Sequence, residues 1–361
     1  WLMEIARRAD PDPWRDRVRT AEVWADPAAL DELSRTADVA RQPVTLLVIV
    51  ARLLQAVEGD SVGLMRRVQF AHPGEFWSNF VLAENLDSLG DPEAIGFYRA
   101  ALAARPDAVA ASVNLGVAFS NHGRMAEAEA LWKHAAELDP SSAIVHQNLS
   151  IAAMNRQDYQ EAVVQGREAL RLGATLPQTH AVLGHALLRL NRYDEARPVI
   201  ARALELLAED DPIRATMVRA LDICENHLDL EARLDGLLRG TQKARDAKES
   251  LLVADTLLRR GDPAGAARFY EEAFARDPAL ADDIGGATRY NAACATVLAA
   301  ANNASDPDAR ARSRDRARRW LEADLQAWRA ARQTEGSPLR EQLAPMLGHW
   351  RTDPDLATVR E

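Results

Sequence analysis

The chain has 361 residues, of which 47% are apolar and 27% charged, and its formal net charge is −10 at neutral pH. This acidic balance disfavours a chain whose whole surface binds nucleic acid. Aromatic residues make up 6%, which suits helices packed through small side chains better than a sheet protein. The two cysteines, Cys224 and Cys294, stand far apart without metal-ligand spacing. We interpret them as buried free thiols, which favours a reducing, cytoplasmic location.

Residues 1–41 are predicted to form a helical cap. Asp12 and Asp26 each precede a proline, which places a capping carboxylate before the first helical residue, so helices should begin near residues 13 and 27. The sequence begins without Met or a signal peptide. We therefore expect it to be a fragment of a larger protein.

Residues 43–57 are the most apolar stretch of the chain. The stretch contains Arg52 and is 15 residues long, shorter than the ~20 residues that a membrane-spanning helix needs. We predict a buried helix here and no membrane span. Together with the helix expected after Gly59, it makes residues 42–74 a degenerate helical hairpin.

A 34-residue pattern recurs four times between residues 75 and 210. Small residues recur at two positions of each unit, and three of the four units place a large residue between them. The small residues are Ala94, Ala101, Ala128, Ala135, Ala162, Ala169, Ala196 and Ala203, the large ones are Tyr98, Trp132 and Ile200, and Gly166 is the exception. Small residues let two antiparallel helices approach closely, while the large one fills space beside the neighbouring unit. The pattern predicts helical hairpins at residues 75–108, 109–142, 143–176 and 177–210.

The pattern is lost after Asp210 and later resumes. Helical periodicity between Asp211-Pro212 and Gly240 predicts an interrupting pair of helices at residues 211–246. The repeat spacing returns at Ala266 and Tyr270. We therefore predict three further segments, namely a hairpin unit at 247–280, a long hairpin at 281–335 with its turn at 302–307, and a C-terminal helical tail at 336–361.

The combination of a Leu-Gly pair, Ala, a large residue, Ala and a closing proline resembles the tetratricopeptide repeat (TPR). The resemblance is clearest over residues 109–142, which contain Leu115-Gly116, Trp132 and Pro140. It implies an all-α fold, an α-solenoid of stacked antiparallel helix hairpins that coils as a right-handed superhelix. It also implies a role in carrying protein or peptide partners.

The flanking segments resemble the C-terminal repeat region of large bacterial serine/threonine kinases. The phrases that carry this resemblance are ADPDPWRDRVR, AHPGEFWSNF, RYNAAC, RWLEADLQAW and HWRTDPDL. The resemblance implies a parent protein with an N-terminal kinase domain. The chain itself has no glycine-rich phosphate loop, H-R-D loop or D-F-G ligand, which phosphoryl transfer needs, so we do not expect it to be an enzyme.

Other sites of chemistry are not predicted. The eight histidines include no H-E-x-x-H pattern, and no Cys or His cluster has zinc spacing. No nucleophile elbow of the Gly-x-Ser-x-Gly type is present. We expect no catalytic residue, metal, cofactor or small-molecule substrate.

The first helix of each unit should line the concave surface of a stack of hairpins, so its outward residues are candidates for partner contact. In the resembled family such positions bind extended peptides. Carried across by register, they are Asn79, Asp87, Asn114, Ser120, Asn121, Gln147, Asn148, Asn155, His185 and Arg189. Because Asn is a poor helix former, its recurrence at matched positions suggests recognition of a peptide backbone by carboxamides. The alternative is that Asn114 and Asn148 brace the neighbouring unit.

A second function class stays open at this point. Six arginines lie between Arg310 and Arg319, and their spacing puts two sets of three on adjacent helical faces, which would suit a nucleic-acid-binding module. Asp308 and Asp315 dilute this patch, and no aromatic residue is interleaved, so a solvated outer face is the favoured interpretation. The sequence leaves the partner's identity and the oligomeric state open.

Overall fold

A computed structural model describes residues 2–282, 287–302, 307–333 and 343–356. Within these ranges it contains nineteen α-helices and short 3-10 turns, and no β-strand. The chain divides into two compact units, Trp1–Cys224 and Glu225–Glu361. The all-α fold predicted from the repeat pattern is confirmed for the described residues.

The first unit begins with five helices that precede the regular repeats. Their bounds are α1 Leu2–Ala9, α2 Pro13–Val18, α3 Pro27–Thr36, α4 Val44–Ala56 and α5 Ser61–Ala71. The predicted starts at residues 13 and 27 are confirmed. Asp12 Oδ1 accepts the Arg15 backbone N–H at 2.9 Å, and Asp26 Oδ1 accepts that of Ala28 at 3.0 Å. These caps satisfy backbone donors that the first helical turn leaves unpaired.

Four helical hairpins follow, one inside each of the predicted 34-residue segments. They pair α6 (Phe76–Asp87) with α7 (Ala94–Ala104), α8 (Val109–Asn121) with α9 (Met125–Leu138), α10 (Ala143–Asn155) with α11 (Tyr159–Arg171), and α12 (Pro177–Arg189) with α13 (Tyr193–Leu206). The second helix of each hairpin also packs against the first helix of the next, and α6 contacts α8 as α10 contacts α12. The hairpins of this unit are therefore stacked, and in these two steps the first helices lie next to each other.

The exception at Gly166 has a packing explanation. A Cβ atom built on Gly166 would lie 3.3 Å from Ser150 Oγ and 3.3 Å from Leu183 Cβ. Leu183 belongs to the next hairpin, so it contacts the position where other units carry Tyr98, Trp132 or Ile200. The opposite arrangement occurs at Gly184, where a Cβ would lie 2.5 Å from Ile200 Cγ1. Large and small residues thus exchange places between facing helices while the space between them stays filled.

The prediction of a helical pair at residues 211–246 is wrong. The segment forms one 25-residue helix, α14 (Arg214–Leu238), which crosses the division between the two units. No Gly or Pro occurs between Arg214 and Asp235, so nothing in the backbone forces a turn there. Met217, Ala220 and Cys224 are buried in the core of the first unit, whereas Leu230, Leu234 and Leu237 are buried in the core of the second.

The second unit continues with two helix pairs and a C-terminal helix. Their bounds are α15 Ala247–Arg259, α16 Pro263–Arg276, α17 Thr288–Asn302, α18 Pro307–Gln333 and α19 Leu343–Thr352. α15 packs against α16 and α17 against α18, while α16 also contacts α17. Most of the turn predicted at 302–307 lies outside the described residues. Among the helices that are described, none combines the length and hydropathy required to cross a membrane.

Candidate partner-binding surface

Four matched residues close the first helices of the four hairpins. Asp87, Asn121, Asn155 and Arg189 are each the last residue of their helix, at α6, α8, α10 and α12. We call them the helix-end row. Asp87 is half-buried, and the other three are exposed. At a helix end the low helix propensity of Asn costs little, so Asn121 and Asn155 do not need a ligand to explain their residue type. Asn121 and Asn155 are candidates for partner contact because they are exposed and lie at matched positions in the row.

Asp87 gives the row an acidic end. Its carboxylate forms no ion pair with any residue that the structure describes. Burial raises the pKa of Asp87, and the nearby His122 opposes that rise. One turn earlier, half-buried Glu84 accepts a hydrogen bond from Arg52 Nη2 at 2.9 Å. Burial also raises the pKa of Glu84, although Arg52 favours its charged form. Of the two carboxylates, only Asp87 therefore lacks a cationic partner within this part of the fold.

Tyr98 connects this acidic end to the next hairpin. The ring is 1% exposed, and burial together with the carboxylates of Asp87 and Glu84 raises the pKa of its hydroxyl. The side chain of Asn114 on α8 opposes this rise. Asn114 is half-buried, so the predicted bracing role and a contact with a partner are compatible at this residue.

Arg189 gives the row a basic end. Its guanidinium carbon lies 4.6 Å from the centre of the Tyr159 ring, a cation–π contact that holds the side chain while its charge stays at the surface. Among the described residues it has no carboxylate partner. His185, one turn earlier on α12, is half-buried, and burial and Arg189 lower the pKa of its imidazole. Arg189 is therefore the charge that this end offers to a partner at neutral pH.

The middle of the row is uncharged. Asn155 Nδ2 donates to the carbonyl of Ile151 within its own helix at 3.1 Å. This hydrogen bond does not involve the Asn155 Oδ1 atom. Ser120, also predicted, is half-buried beside exposed Asn121. These side chains offer amide and hydroxyl groups of the kind that pair with a peptide backbone.

The structure corrects three of the predicted surface residues. Asn79 is 0% exposed and donates from Nδ2 to the carbonyls of Pro73 and Glu75, each at 2.8 Å. Gln147 is buried, and its Oε1 accepts a hydrogen bond from Thr179 Oγ1 of the next hairpin at 2.9 Å. Asn148 is 5% exposed. Asn79 and Gln147 therefore brace the stack, and none of the three is available at the surface.

A groove beside α7 was not predicted from the sequence. It has a volume of about 750 Å³ and lies between α5, α7 and the turn after α8. Its lining includes Ile95, Phe97 and Ala100 together with Arg66 and Arg124. Both arginines are already paired, Arg66 with Glu93 at 2.6 Å and Arg124 with Glu127. The partly buried Phe97 and Ile95 on α7 are the sequence signal that could have pointed to this groove.

The arginines between Arg310 and Arg319 do not form an uninterrupted basic face. Arg316 is ion-paired with Glu271 on α16. Arg310 and Arg314 line a cavity of about 390 Å³ together with Val297, Ala300 and Ala301. Asp315 is exposed among them. Three of these six arginines, Arg310, Arg314 and Arg316, thus contact or line other parts of the second unit.

Two of the sequence phrases without an assigned role, RYNAAC and HWRTDPDL, meet in the second unit. The Tyr290 hydroxyl donates a hydrogen bond to Asp353 Oδ2, and the Tyr290 and Trp350 rings stack with centres 5.5 Å apart. Asp353 Oδ1 also accepts the Asp355 backbone N–H at 2.9 Å. These contacts join α17 to the chain that follows α19.

The same place contains a group of metal-ligand type. Within the described residues, Cys294, Asp353 and Asp355 bring one sulfur and two carboxylate oxygens within 4.8 Å of one another. Burial and the charge of Asp353 raise the pKa of the Cys294 thiol to about 12, while the nearby Tyr290 opposes the rise. Hydrogen bonds to Tyr290 and to the backbone already satisfy Asp353, so the group has a structural explanation without an ion.

Comparison with known proteins agrees with this architecture. Residues 179–215, which cover most of α12 and all of α13, match the family model described as tetratricopeptide repeat. A search of curated protein sequences found no significant match to the chain. The matched segment, which holds most of the fourth hairpin, is thus similar to a tetratricopeptide repeat.

Several solved structures are similar over part of the chain. The MamA protein is 17% identical, with 45% of this chain and 90% of that chain covered and a TM-score of 0.40. A thermophilic TPR protein of Thermus thermophilus is 21% identical, with coverage of 50% and 99% and a TM-score of 0.40. A structure of the Cut9–Hcn1 hetero-tetramer of APC/C is 18% identical, with coverage of 77% and 49% and a TM-score of 0.44.

Proposed function

We propose that this chain is a protein-interaction scaffold that binds an extended segment of a partner protein along the helix-end row. Tetratricopeptide repeats generally mediate contacts between proteins. The observation that supports the proposal here is the row itself: four stacked hairpins present Asp87, Asn121, Asn155 and Arg189 at one repeated position. None of these four side chains forms an ion pair within the described part of the fold.

The spacing of the row suits an extended chain. Packed helices lie about 8–10 Å apart, so three steps between neighbouring first helices span roughly 24–30 Å. An extended peptide advances about 3.3 Å per residue and would cover this distance with about eight residues. Its backbone would pass the two central amides, which can donate to carbonyls and accept from N–H groups.

A peptide display selection tests the proposal even though the natural partner is unidentified. A library of random peptides about twelve residues long is selected on the wild-type protein, and the affinities of the enriched sequences are then measured. The double variant Asn121→Ala/Asn155→Ala should weaken these sequences by about tenfold or more, because each lost amide removes hydrogen bonds made at the interface. Its melting curve should stay unchanged, since exposed substitutions usually alter stability by less than about 0.5 kcal/mol.

A matched control uses exposed residues on the second helices of the same two hairpins. His134→Ala/Gln160→Ala changes α9 and α11 and should leave peptide affinity as in the wild type. Peptides that bind both double variants equally well would refute binding along the row. Loss of binding after changes at Ile95 and Phe97 would instead move the working surface to the groove between α5 and α7, and loss after Arg312→Ala/Arg319→Ala would move it to α18.

We further propose that the chain serves a serine/threonine kinase as a C-terminal region that recruits substrates or regulates the enzyme. The support is the resemblance of its flanking phrases, two of which the fold brings together at Tyr290 and Asp353. Sequencing the gene upstream of the codon for Trp1 tests this directly. A reading frame that continues into a domain without kinase motifs would overturn it.

A further inference from the structure

The charges of the helix-end row are ordered along the stack. The row begins with a carboxylate at Asp87, continues through the neutral amides of Asn121 and Asn155, and ends with the guanidinium of Arg189. A row of one sign would attract any oppositely charged chain. An ordered row instead discriminates between ligands by the position of their charges.

Asp87, at the acidic end of the row, is placed to bind a cationic side chain from a partner. Asp87 is half-buried and has already lost part of its hydration, a cost that neither Arg52 nor His122 offsets with an ion pair. Arg52 is engaged with Glu84. A lysine or arginine from outside the chain would therefore meet an unpaired carboxylate that water solvates poorly, where a charge-assisted hydrogen bond is stronger than at an open surface.

The basic end is held in place. Arg189 is stacked on Tyr159, so its long side chain is already restricted before a partner binds. It therefore loses less conformational entropy on binding than a free side chain would. His185 lies one turn away and, since burial lowers its pKa, adds no competing charge at neutral pH. A carboxylate from outside the chain can therefore pair with the planar guanidinium through two hydrogen bonds.

We infer that the partner segment is an extended peptide that carries a Lys or Arg next to Asp87 and an Asp or Glu about eight residues away next to Arg189. This inference rests on the proposed function, since it assumes that the row is occupied by a peptide. To the proposed function it adds which charged residue the peptide carries at each end and how far apart these two residues are.

The test compares the peptides that are enriched on three forms of the full chain. On the wild type, enriched sequences should pair one basic and one acidic residue about eight positions apart. On Asp87→Asn, enriched peptides should no longer favour the basic residue but should still favour the acidic one. On Arg189→Gln, they should no longer favour the acidic residue but should still favour the basic one. Asp87→Asn keeps the size of the side chain and removes a partly buried charge, and Arg189→Gln shortens a side chain at an exposed position, so neither should unfold the protein.

Affinity measurements on one enriched peptide make the test quantitative. Asp87→Asn should weaken it about tenfold, as expected for a hydrogen bond to a charged group that is partly shielded from water. Arg189→Gln at the exposed end should weaken it about two- to fivefold. Replacing the basic residue of the peptide by Gln should have no further effect on the Asp87→Asn form.

The two proposals fail in different ways. If enriched peptides require Asn121 and Asn155 but show the same charge preferences on all three forms, the row binds peptides and the inferred charge order is wrong. If the peptides ignore Asn121 and Asn155 as well, the proposed function itself is wrong. Enrichment of sequences with two basic ends, unaffected by Arg189→Gln, would also overturn the charge order.

Discussion

The indole of Trp132 packs directly on the backbone of Gly116, and its Nε1 donates to the carbonyl of Val113 at 3.2 Å. A Cβ atom at residue 116 would lie 2.8 Å from Trp132 Cδ1 and 2.8 Å from Cε2, closer than van der Waals contact allows. The two helices of this hairpin can therefore approach as they do only because residue 116 has no side chain. The contact is the structural basis of the Leu-Gly pair in the repeat.

Gly116→Ala should destabilise the protein by about 1–3 kcal/mol, because the added methyl group forces the indole or the helix to move. This loss should exceed the gain of up to about 1 kcal/mol that Ala brings to a helix interior. Urea denaturation followed by circular dichroism measures the change. Gly96→Ala is the matched control, since no atom lies within 4 Å of a Cβ at that helical position, and it should stabilise by about 0.5–1 kcal/mol. Equal effects of the two substitutions would contradict the packing argument.

Leu115 is 3% exposed, so Leu115→Ala should cost about 2–5 kcal/mol through lost burial and the cavity that remains. Each hairpin packs against its neighbours, so the loss should spread beyond α8. A lower denaturation midpoint, with faster hydrogen exchange in α6 and α10, is the expected result. Val164→Ala removes apolar atoms from a side chain that is 50% exposed and should change stability by less than about 0.5 kcal/mol. An unchanged midpoint for Leu115→Ala would be incompatible with its burial.

Asn148 Nδ2 is buried and has no hydrogen-bond partner among the described residues. The residue at the same repeat position is Phe80 in the first regular hairpin and Val182 in the fourth. Asn148→Val should therefore be neutral or stabilise by up to about 1 kcal/mol, because an unsatisfied buried donor is removed. Thermal melting measures the change, with Asn79→Val as the comparison. That variant should destabilise strongly, because Asn79 makes hydrogen bonds to two backbone carbonyls. Strong destabilisation by Asn148→Val would indicate that Nδ2 has a partner after all.

Burial and the nearby Arg259 lower the pKa of His227 to about 4. The unfolded chain takes up this proton near pH 6.5, whereas the folded chain resists it until about pH 4. The unfolded state therefore binds more protons in this interval, and stability falls as the pH falls from about 6.5 to 4. His227→Gln should remove this part of the pH dependence, as measured by the difference in denaturation midpoint from wild type at each pH. His134→Gln, on the exposed side of α9, should leave the dependence as it is.

Tyr290→Phe removes the hydroxyl that donates to buried Asp353, and the loss should be about 1–3 kcal/mol. Since Asp353 follows α19, amide hydrogen exchange in that helix should accelerate more than exchange in α15. Tyr193→Phe loses a hydrogen bond to Asn191 Oδ1 at an accessible position and should have little effect. Unchanged exchange in α19 would show that this hydrogen bond does not hold the helix.

The repeat itself could be predicted from the sequence because its cause is local. A small residue every 34 positions and a large one between two alanines determine how closely two adjacent helices pack, and both are visible in the chain. Helix starts at Pro13 and Pro27 were predictable for the same reason, since the capping carboxylate is the residue before the proline. Contacts between residues that are close in sequence leave a periodic signal.

Exposure of the candidate site residues was decided only by the tertiary structure. The register places Asn79 and Gln147 at the same position of two hairpins, but their burial depends on the backbone of Pro73 and on Thr179 from a different hairpin. The continuous α14 likewise depends on two separate cores that bury its two halves. The meeting of Tyr290 with Asp353 joins residues far apart in sequence, which no local pattern encodes. Sequence alone thus determined how the helices of the regular repeats form and pair, because that depends on neighbouring residues, whereas packing between distant segments decided the extent of α14 and which side chains remain for a partner.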